Sequence, residues 1–442
     1  MERISELCEG KVSVVGNGRS VAAVMSEIVS SCSRDMPTIA LCLEGTTASG
    51  LAGREDRIIF VGKNAGGGER LPDLLAPYLN SPNCGYEAES IVEALASVLL
   101  DSHSIRDGND AYWTGSANRL FRGIMHSCLL GMVWERDFSF KRFVGIYQDL
   151  ERWLPNMVQH DPGRNGSSSF VFPRESWSVP FLSRRTSHPL EELLANVHPS
   201  TAQITLNTYY SHTGSLHSVL KSLPGREGEG DYFSIADELE KTKGGVIFLV
   251  LSRELKHFSR CLFRFLLGGL TEIHAAGGGK ALRVIVPDIS QWKDVTGLGR
   301  IIEEASDNLS VVWGASDITG ASSSEKDSMQ TVVSLFARCD RRGWCRSSDP
   351  VAVRAYNELV PTQLHSYELT GIPEGMCMLQ TPEGEFEGVA VPPLPVPSER
   401  SAISSGRLEG RKLWKDTAVR EPEIREDSSD GELDVDSMLS DF

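Results

Sequence analysis

The chain has 442 residues and a mass of 48.5 kDa, with 44 Lys plus Arg against 60 Asp plus Glu. Its 40% apolar and 24% charged residues are those of a globular protein and exclude wholesale disorder. A formal net charge of −16 excludes a uniformly basic nucleic-acid coat protein but leaves room for a local basic face.

The charge is concentrated at one end. Glu421 to Phe442 holds nine acidic residues and one basic residue, Arg425, a balance of −8, so Met1 to Arg420 carries only the other −8. At about 150 residues per domain, the length predicts two or three domains, or one large α/β domain with an insertion.

In chain order, residues 1–84 read as α/β. "KVSVV" (Lys11–Val15) is a β-branched run stopped by Gly16, and "SVAAVMSEIVSSC" places Val21, Val24, Met25 and Ile28 at helical spacing. "TIALCL" (Thr38–Leu43) and "RIIFV" (Arg57–Val61) are continuous apolar runs, as expected of parallel strands buried on both faces. Residues 85–230 switch to a helical period. Stripes run through Ile91, Leu95, Val98 and Leu99, then Leu120, Ile124 and Cys128, then Phe143, Ile146, Leu150 and Trp153. "DPGRNGSSS" (Asp161–Ser169) reads as a loop, followed by the amphipathic "PLEELLANV" and "TGSLHSVLKSL". This predicts an all-α insertion.

Residues 231–395 return to α/β. Ser234 and Asp237 form a capping-box-like helix start, and "GVIFLVL" (Gly245–Leu251), "LRVIV" (Leu282–Val286) and "SVVW" (Ser310–Trp313) are buried-strand candidates. A long helix fills "HFSRCLFRFLLGGLTEIHAA", and Met376–Leu379 with Gly388–Val391 suggest a closing edge pair. Residues 396–442 are then a proline-rich linker and an acidic tail, for which no packed structure is expected.

The nine cysteines form no CxxC pair and none has a His at metal-ligand spacing, so reduced thiols packed as small hydrophobes are expected and no metal site. "MERISELCEG" has no apolar core behind a basic flank, and the longest apolar runs fall short of the roughly 18 residues a membrane helix needs. A soluble protein of a reducing cytoplasm is expected.

Three constellations could carry chemistry. The first is "VSVVGNGRSVAAV", where a strand, a glycine turn and a helix meet. A phosphate-binding loop uses backbone N–H groups at such a helix start, completed by Lys and then Ser or Thr. Here Gly16, Gly18, Arg19 and Ser20 are the candidate nucleotide-binding residues, with only Asn17 between the glycines, three residues fewer than the full pattern, and Arg19 in the place of Lys. A plain strand-to-helix turn is the competing reading.

The second is "LRVIVPDIS", which puts Asp288 just past a buried strand, where an acid could hold Mg²⁺ through water; Ile289 follows it, and capping of the next turn is the alternative. The third is a pair of basic groups, Lys256, Arg260 and Arg264 with His257, and Arg338, Arg341 and Arg342 with Arg346. These are candidate DNA contacts, or else solvated faces.

In their order and spacing, "VSVVGNGRS", "YWTGSANRLFRGIM", "YFSIADELEKTKGGVIFLVLSRE", "ALRVIVPDISQWKDVTGLGRIIEEASDNLSVVWGAS" and "ELTGIPEGMCMLQTPEGEFEGVAV" resemble the cytoplasmic part of TraD/TraG-type coupling proteins of conjugation and type IV secretion. The resemblance covers about residues 10 to 395. It implies a RecA-like P-loop NTPase-type fold, a mostly parallel sheet with an inserted all-α domain, in a hexameric ATPase family that uses ATP and Mg²⁺.

The departures are selective. The P-loop Lys is Arg19, the Walker B Glu is Ile289, the Gln after the next strand is Ala315 or Ser316, and nothing corresponds to the family's N-terminal membrane helices. Arg is a poor stand-in for that Lys, because its planar fork does not replace a compact ammonium.

The resemblance therefore implies a degenerate ATPase that binds DNA or a secretion substrate. Its expected partners are relaxosome-like DNA-processing proteins, an active coupling ATPase or a secretion-channel protein, in a homo- or hetero-hexamer peripheral to the inner membrane. Leu439, Asp441 and Phe442 at the acidic end are the candidate partner-binding residues, on the pattern of family tails that dock on a DNA-processing partner. An active DNA-translocating ATPase with an unusual P-loop, and an interaction protein unrelated to DNA, are the alternatives.

Overall fold

The structure is a computed structural model. It describes residues 6–32, 34–53, 55–63, 69–82, 88–99, 109–160, 168–170, 199–223, 231–242, 244–251, 255, 259–292, 296–316, 332–347, 370–380 and 386–392. Met1–Pro397 forms one compact unit; Ser398–Phe442, the second, lies outside the described residues.

The chain opens with a 3₁₀ turn, Glu6–Cys8, then β1 (Lys11–Val15), α1 (Gly18–Ser31), β2 (Thr38–Cys42), α2 (Gly45–Leu51), β3 (Arg57–Lys63), β4 (Glu69–Pro72) and α3 (Ala76–Leu79). A helical stretch follows: α4 (Ala88–Leu99), α5 (Asn109–Glu135), α6 (Phe140–Met157) and α7 (Pro199–Ser222). Between the last two a short antiparallel pair intervenes, β5 (Val158–His160) with β6 (Ser168–Phe170). The chain then continues through β7 (Asp231–Phe233), α8 (Ile235–Lys241), β8 (Val246–Leu251), α9 (Ser259–Ala276), β9 (Leu282–Val286), a 3₁₀ turn at Ile289–Gln291, α10 (Thr296–Glu304) and β10 (Leu309–Ala315). It closes with a helical turn α11 at 332–337, then β11 (Arg341–Cys345), β12 (Met376–Gln380) and β13 (Phe386–Ala390).

Eleven strands form one sheet in the order β13-β12-β11-β1-β10-β9-β2-β8-β3-β4-β7. From β11 to β3 every neighbouring pair is parallel; β12 and β13 extend one edge antiparallel, and β4 pairs antiparallel with β3 at the other. The central strands are mostly apolar because both faces are covered; Ser13, Thr38, Arg283 and Ser310 are buried polar residues among them. β2, β8, β9 and β10 are buried at every residue. The period-2 alternation of side chains divides them between two cores. Along β8, Val246, Phe248 and Val250 face the core built with α1 and α2, while Ile247, Leu249 and Leu251 face the core continuous with α9, α10 and the helical stretch.

The described members of the predicted helical stripes are buried: Ile91, Leu95 and Val98 in α4, Leu120, Ile124 and Cys128 in α5, and Phe143, Ile146 and Leu150 in α6. Among the described residues the stretch departs from the all-α expectation at the β5–β6 pair. The segment between them holds Pro, Gly and Asn and has the composition of a loop, but turn residues between short runs with β-branched and aromatic members are also a hairpin signal. "PLEELLANV" lies outside the described residues, and α7 starts at Pro199, well before the amphipathic run that suggested it.

Among the described residues no helix is long and apolar enough to cross a membrane, and no group of three His, Cys, Asp or Glu is placed to hold a metal ion. The eight described cysteines are free thiols.

Candidate functional site

Because β1, β9, β10 and β11 are parallel, their carboxyl ends meet at one edge of the sheet. In an open α/β sheet that edge is where ligands bind. β10 lies between β1 and β9, so the glycine turn after β1 and the acid after β9 face one another across the end of β10.

The turn after β1 is short and tightly held. Gly16 has φ +150°, a backbone disfavoured for residues with a side chain, and a Cβ placed on it would lie 2.6 Å from the Cβ of Cys345 and 2.8 Å from its carbonyl oxygen. The Gly16 N–H donates to the Ala315 carbonyl of β10 at 3.3 Å, and the Asn17 N–H donates to the Arg346 carbonyl past β11 at 2.9 Å. Asn17 is the N-cap of α1, its side-chain oxygen accepting the Ser20 N–H at 2.9 Å, so the chain enters the helix at once. Three N–H groups of the kind that would cradle a phosphate are thus committed to protein acceptors.

Asp288 is likewise engaged. Its Oδ1 accepts the Ser290 N–H and the Ser316 N–H, each at 3.1 Å, and its Oδ2 accepts the Ser316 hydroxyl at 2.5 Å. It caps the 3₁₀ turn that follows β9 and ties it to the end of β10. Ser316 is the first residue beyond β10, at the position where the resemblance places Gln; Ala315 is the strand's last, fully buried residue. A Cβ on Gly18 would meet the Cβ of Ser316 at 3.4 Å, and one on Gly314 would lie 2.3 Å from the Pro287 carbonyl oxygen and 2.8 Å from Val21. These glycines let α1, β10 and the end of β9 close on one another.

Arg19 does not turn toward Asp288. It pairs with Glu374 at 3.5 Å, both side chains largely exposed, ahead of β12.

A nucleotide triphosphate and Mg²⁺, implied by the fold, find a poor fit here. The loop that would wrap the phosphates is absent, the glycine that would arch away is pressed on Cys345, and the carboxylate is held by two serines.

The basic residues separate. Lys256 lies outside the described residues; Arg260 is exposed at the start of α9. Arg264 is buried, its Cγ 3.1 Å from where a Cβ on Gly297 would lie, in the contact between α9 and α10, so it does not share an exposed face with Arg260. Arg338 is exposed and pairs with Glu303 of α10. Arg341 is half-buried at the start of β11.

Arg342 serves the fold. It donates to the carbonyls of Phe336 (3.1 Å), Cys339 (3.2 Å) and Ala337 (2.6 Å) and to Gln380 Oε1 (3.4 Å), closing the carboxyl end of α11. Desolvation lowers its pKa from the ordinary arginine value. Leu439, Asp441 and Phe442 lie outside the described residues.

A buried polar network in the helical stretch is announced by no local sequence pattern. Glu151 of α6 accepts the hydroxyls of Tyr209 (3.1 Å) and Tyr210 (3.0 Å) of α7; Tyr147 bridges Tyr209 (3.0 Å) and His217 (3.2 Å). Burial raises the pKa of Glu151, against the pull of the tyrosine hydroxyls, and burial lowers that of His217. The hydroxyls satisfy a carboxylate that would otherwise be costly to bury, which pins α6 to α7.

The strand order and the inserted helices define a RecA-like fold of P-loop type. The plasmid coupling protein TrwB in complex with the non-hydrolysable GTP analogue GDPNP matches with a TM-score of 0.51 at 14% identity, over 90% of this chain and 89% of that one. TrwB in complex with ADP and Mg²⁺ matches at 0.50 and 13%, over 90% and 89%. The trigonal form of the conjugative coupling protein TrwBΔN70 with sulfate matches at 0.50 and 13%, over 89% and 87%. At this identity the likeness is one of fold. No protein-family model and no curated protein matches the chain.

Proposed function

We propose that the chain is a coupling-protein-like subunit of a conjugation or type IV secretion apparatus that has lost nucleotide hydrolysis and acts by binding and assembly. The observation that carries this reading is the closed carboxyl edge of β1 and β9. Gly16, Asn17 and Ser20 spend their N–H groups on protein acceptors, and Asp288 is held by Ser290 and Ser316. The RecA-like fold is present, while groups that would hold and polarise a γ-phosphate are engaged by other parts of the protein.

On this reading the subunit joins a ring with itself or with an active coupling ATPase, and touches DNA or a secretion substrate through Arg260, Arg338 and Arg341 together with Lys256. The acidic end, with Leu439, Asp441 and Phe442, engages a basic DNA-processing partner. Arg264 packs between α9 and α10, Arg342 closes the end of α11, and neither takes part in the substrate surface.

The test pairs two assays on the full chain. Gel-shift titration should show DNA affinity that falls steeply with salt and weakens when Arg260 and Arg338 are replaced by Ala. ATP turnover should be absent with or without DNA. DNA-stimulated hydrolysis that Asp288→Ala abolishes would overturn the reading in favour of an active translocase. No salt-sensitive DNA affinity would point to an interaction protein unrelated to DNA.

A further inference from the structure

The amino ends of the same strands hold a different arrangement. Arg283 of β9 is fully buried. Its Nε donates to the Cys8 carbonyl at 2.6 Å and one terminal nitrogen to the Thr38 hydroxyl at 3.3 Å, Thr38 being its register partner on β2. Cys8 is buried in the first 3₁₀ turn, and its thiol lies 3.4 Å from the Ile28 carbonyl in the last turn of α1. Cys32, four residues on, is the C-cap of α1 and is partly exposed. Cys32 stands one helical turn beyond Ile28, on which the Cys8 thiol rests, so the two thiols are neighbours and both lie in the field of the Arg283 guanidinium.

A thiol pair with one partly exposed member, one buried member and a fixed cation behind both is the arrangement that makes a cysteine reactive. We propose that Cys32, with Cys8 as its resolving partner and Arg283 as the charge that sustains its thiolate, is a hydroperoxide-reactive site that closes to a Cys8–Cys32 disulfide. The hydrogen bond from Cys8, joined by the charge and the hydrogen bond of Arg283, lowers the Cys32 pKa below the ordinary thiol value against desolvation and the nearby Asp56 carboxylate. Cys8 is raised, chiefly by its bond to Cys32 and then by burial, with Glu9 adding to this and Arg283 opposing it. By contrast, burial pushes Cys42 up to about 12 and Cys339 up to about 11, and raises Cys128 well above its usual range.

The steps balance. The Cys32 thiolate attacks the peroxide O–O bond; a sulfur–oxygen bond forms, and the displaced hydroxide takes a proton and leaves as water. Once Cys32 is a neutral sulfenic acid, its charge no longer holds the Cys8 proton in place, and Arg283 favours the Cys8 thiolate. Cys8 attacks the Cys32 sulfur, the S–S bond forms, and hydroxide leaves with the Cys8 proton as a second water. Two sulfurs lose two electrons and the peroxide gains them. The product staples the 3₁₀ turn before β1 to the far end of α1. This site is independent of nucleotide or DNA binding.

The test uses the full reduced chain and hydrogen peroxide at equimolar dose, followed by alkylation and peptide mass spectrometry. A Cys8–Cys32 disulfide should form ahead of any other cysteine oxidation, and in Cys8→Ser a dimedone adduct should appear on Cys32. At neutral pH, iodoacetamide should modify Cys32 about tenfold faster than an ordinary peptide thiol. The wild-type disulfide map stands without any variant, should Cys8→Ser fail to fold. Alkylation of Cys32 at or below the peptide rate, oxidation first at another cysteine, or Cys32 bridging a second copy would each overturn the proposal.

Discussion

The carboxyl and amino ends of the central strands hold their polar side chains in opposite ways. At the carboxyl end, beyond β1, β9 and β10, three of the groups a nucleotide would use are engaged by a neighbour: Asn17 with Ser20, Asp288 with Ser290 and Ser316, Gly16 with Cys345. At the amino end a fully buried guanidinium is set beside two thiols. The edge at which such sheets usually bind ligands is closed by short-range capping, whereas the edge that usually only supports the fold carries a charge placed to sustain a reactive thiolate. Position in a fold therefore does not assign chemistry; the hydrogen-bond partners at each position do.

The largest effect is expected at Gly16. Gly16→Val places a branched side chain against Cys345 and in a disfavoured backbone conformation, and should destabilise the protein by about 3 kcal/mol or more in urea unfolding. A smaller loss would mean that the turn has room to open around a phosphate.

Asp288→Ala removes the acceptor for Ser290 and Ser316, and should cost about 1–3 kcal/mol of stability by the same measurement. No change in stability would show that the carboxylate does not hold the strand ends together. Arg283→Met sharpens the other side. It should slow alkylation of Cys32 at neutral pH by about 3–10-fold through loss of the nearby cation, and an unchanged rate would remove the role given to that charge. Arg19→Ala should be the smallest effect, at most about 0.5 kcal/mol, because its pair with Glu374 stands in solvent. A large loss there would place Arg19 in the site after all.

Much of the sheet was legible in the residues. β1, β2, β8, β9 and β10 are buried on both faces, so each appears as a mostly apolar run and its ends fall within two residues of those expected. β11 was not legible, because it begins with Arg341 and Arg342 and only its last three residues are buried. Those arginines read as a basic surface until the α11 carbonyls around Arg342 are seen. β4 and β7 are too short to show a period, and α2, "GTTASGL", buries only Ala48 and Leu51.

At the candidate site, the positions of Gly16 and Asp288 followed from the strands before them, and Asn17 was recoverable as an N-cap residue. The engagement of Asp288 by Ser316 joins residues 28 apart, and that of Cys8 by Arg283 joins residues 275 apart. Such pairs depend on strand order, which no local pattern records.

Calorimetric titration of Mg²⁺-ATP into the full chain tests most directly the proposed inability of this edge to take a nucleotide. No saturable heat is expected at any ATP concentration below about 1 mM. Binding at micromolar affinity that Asp288→Ala weakens, in a variant still folded by circular dichroism, would contradict it.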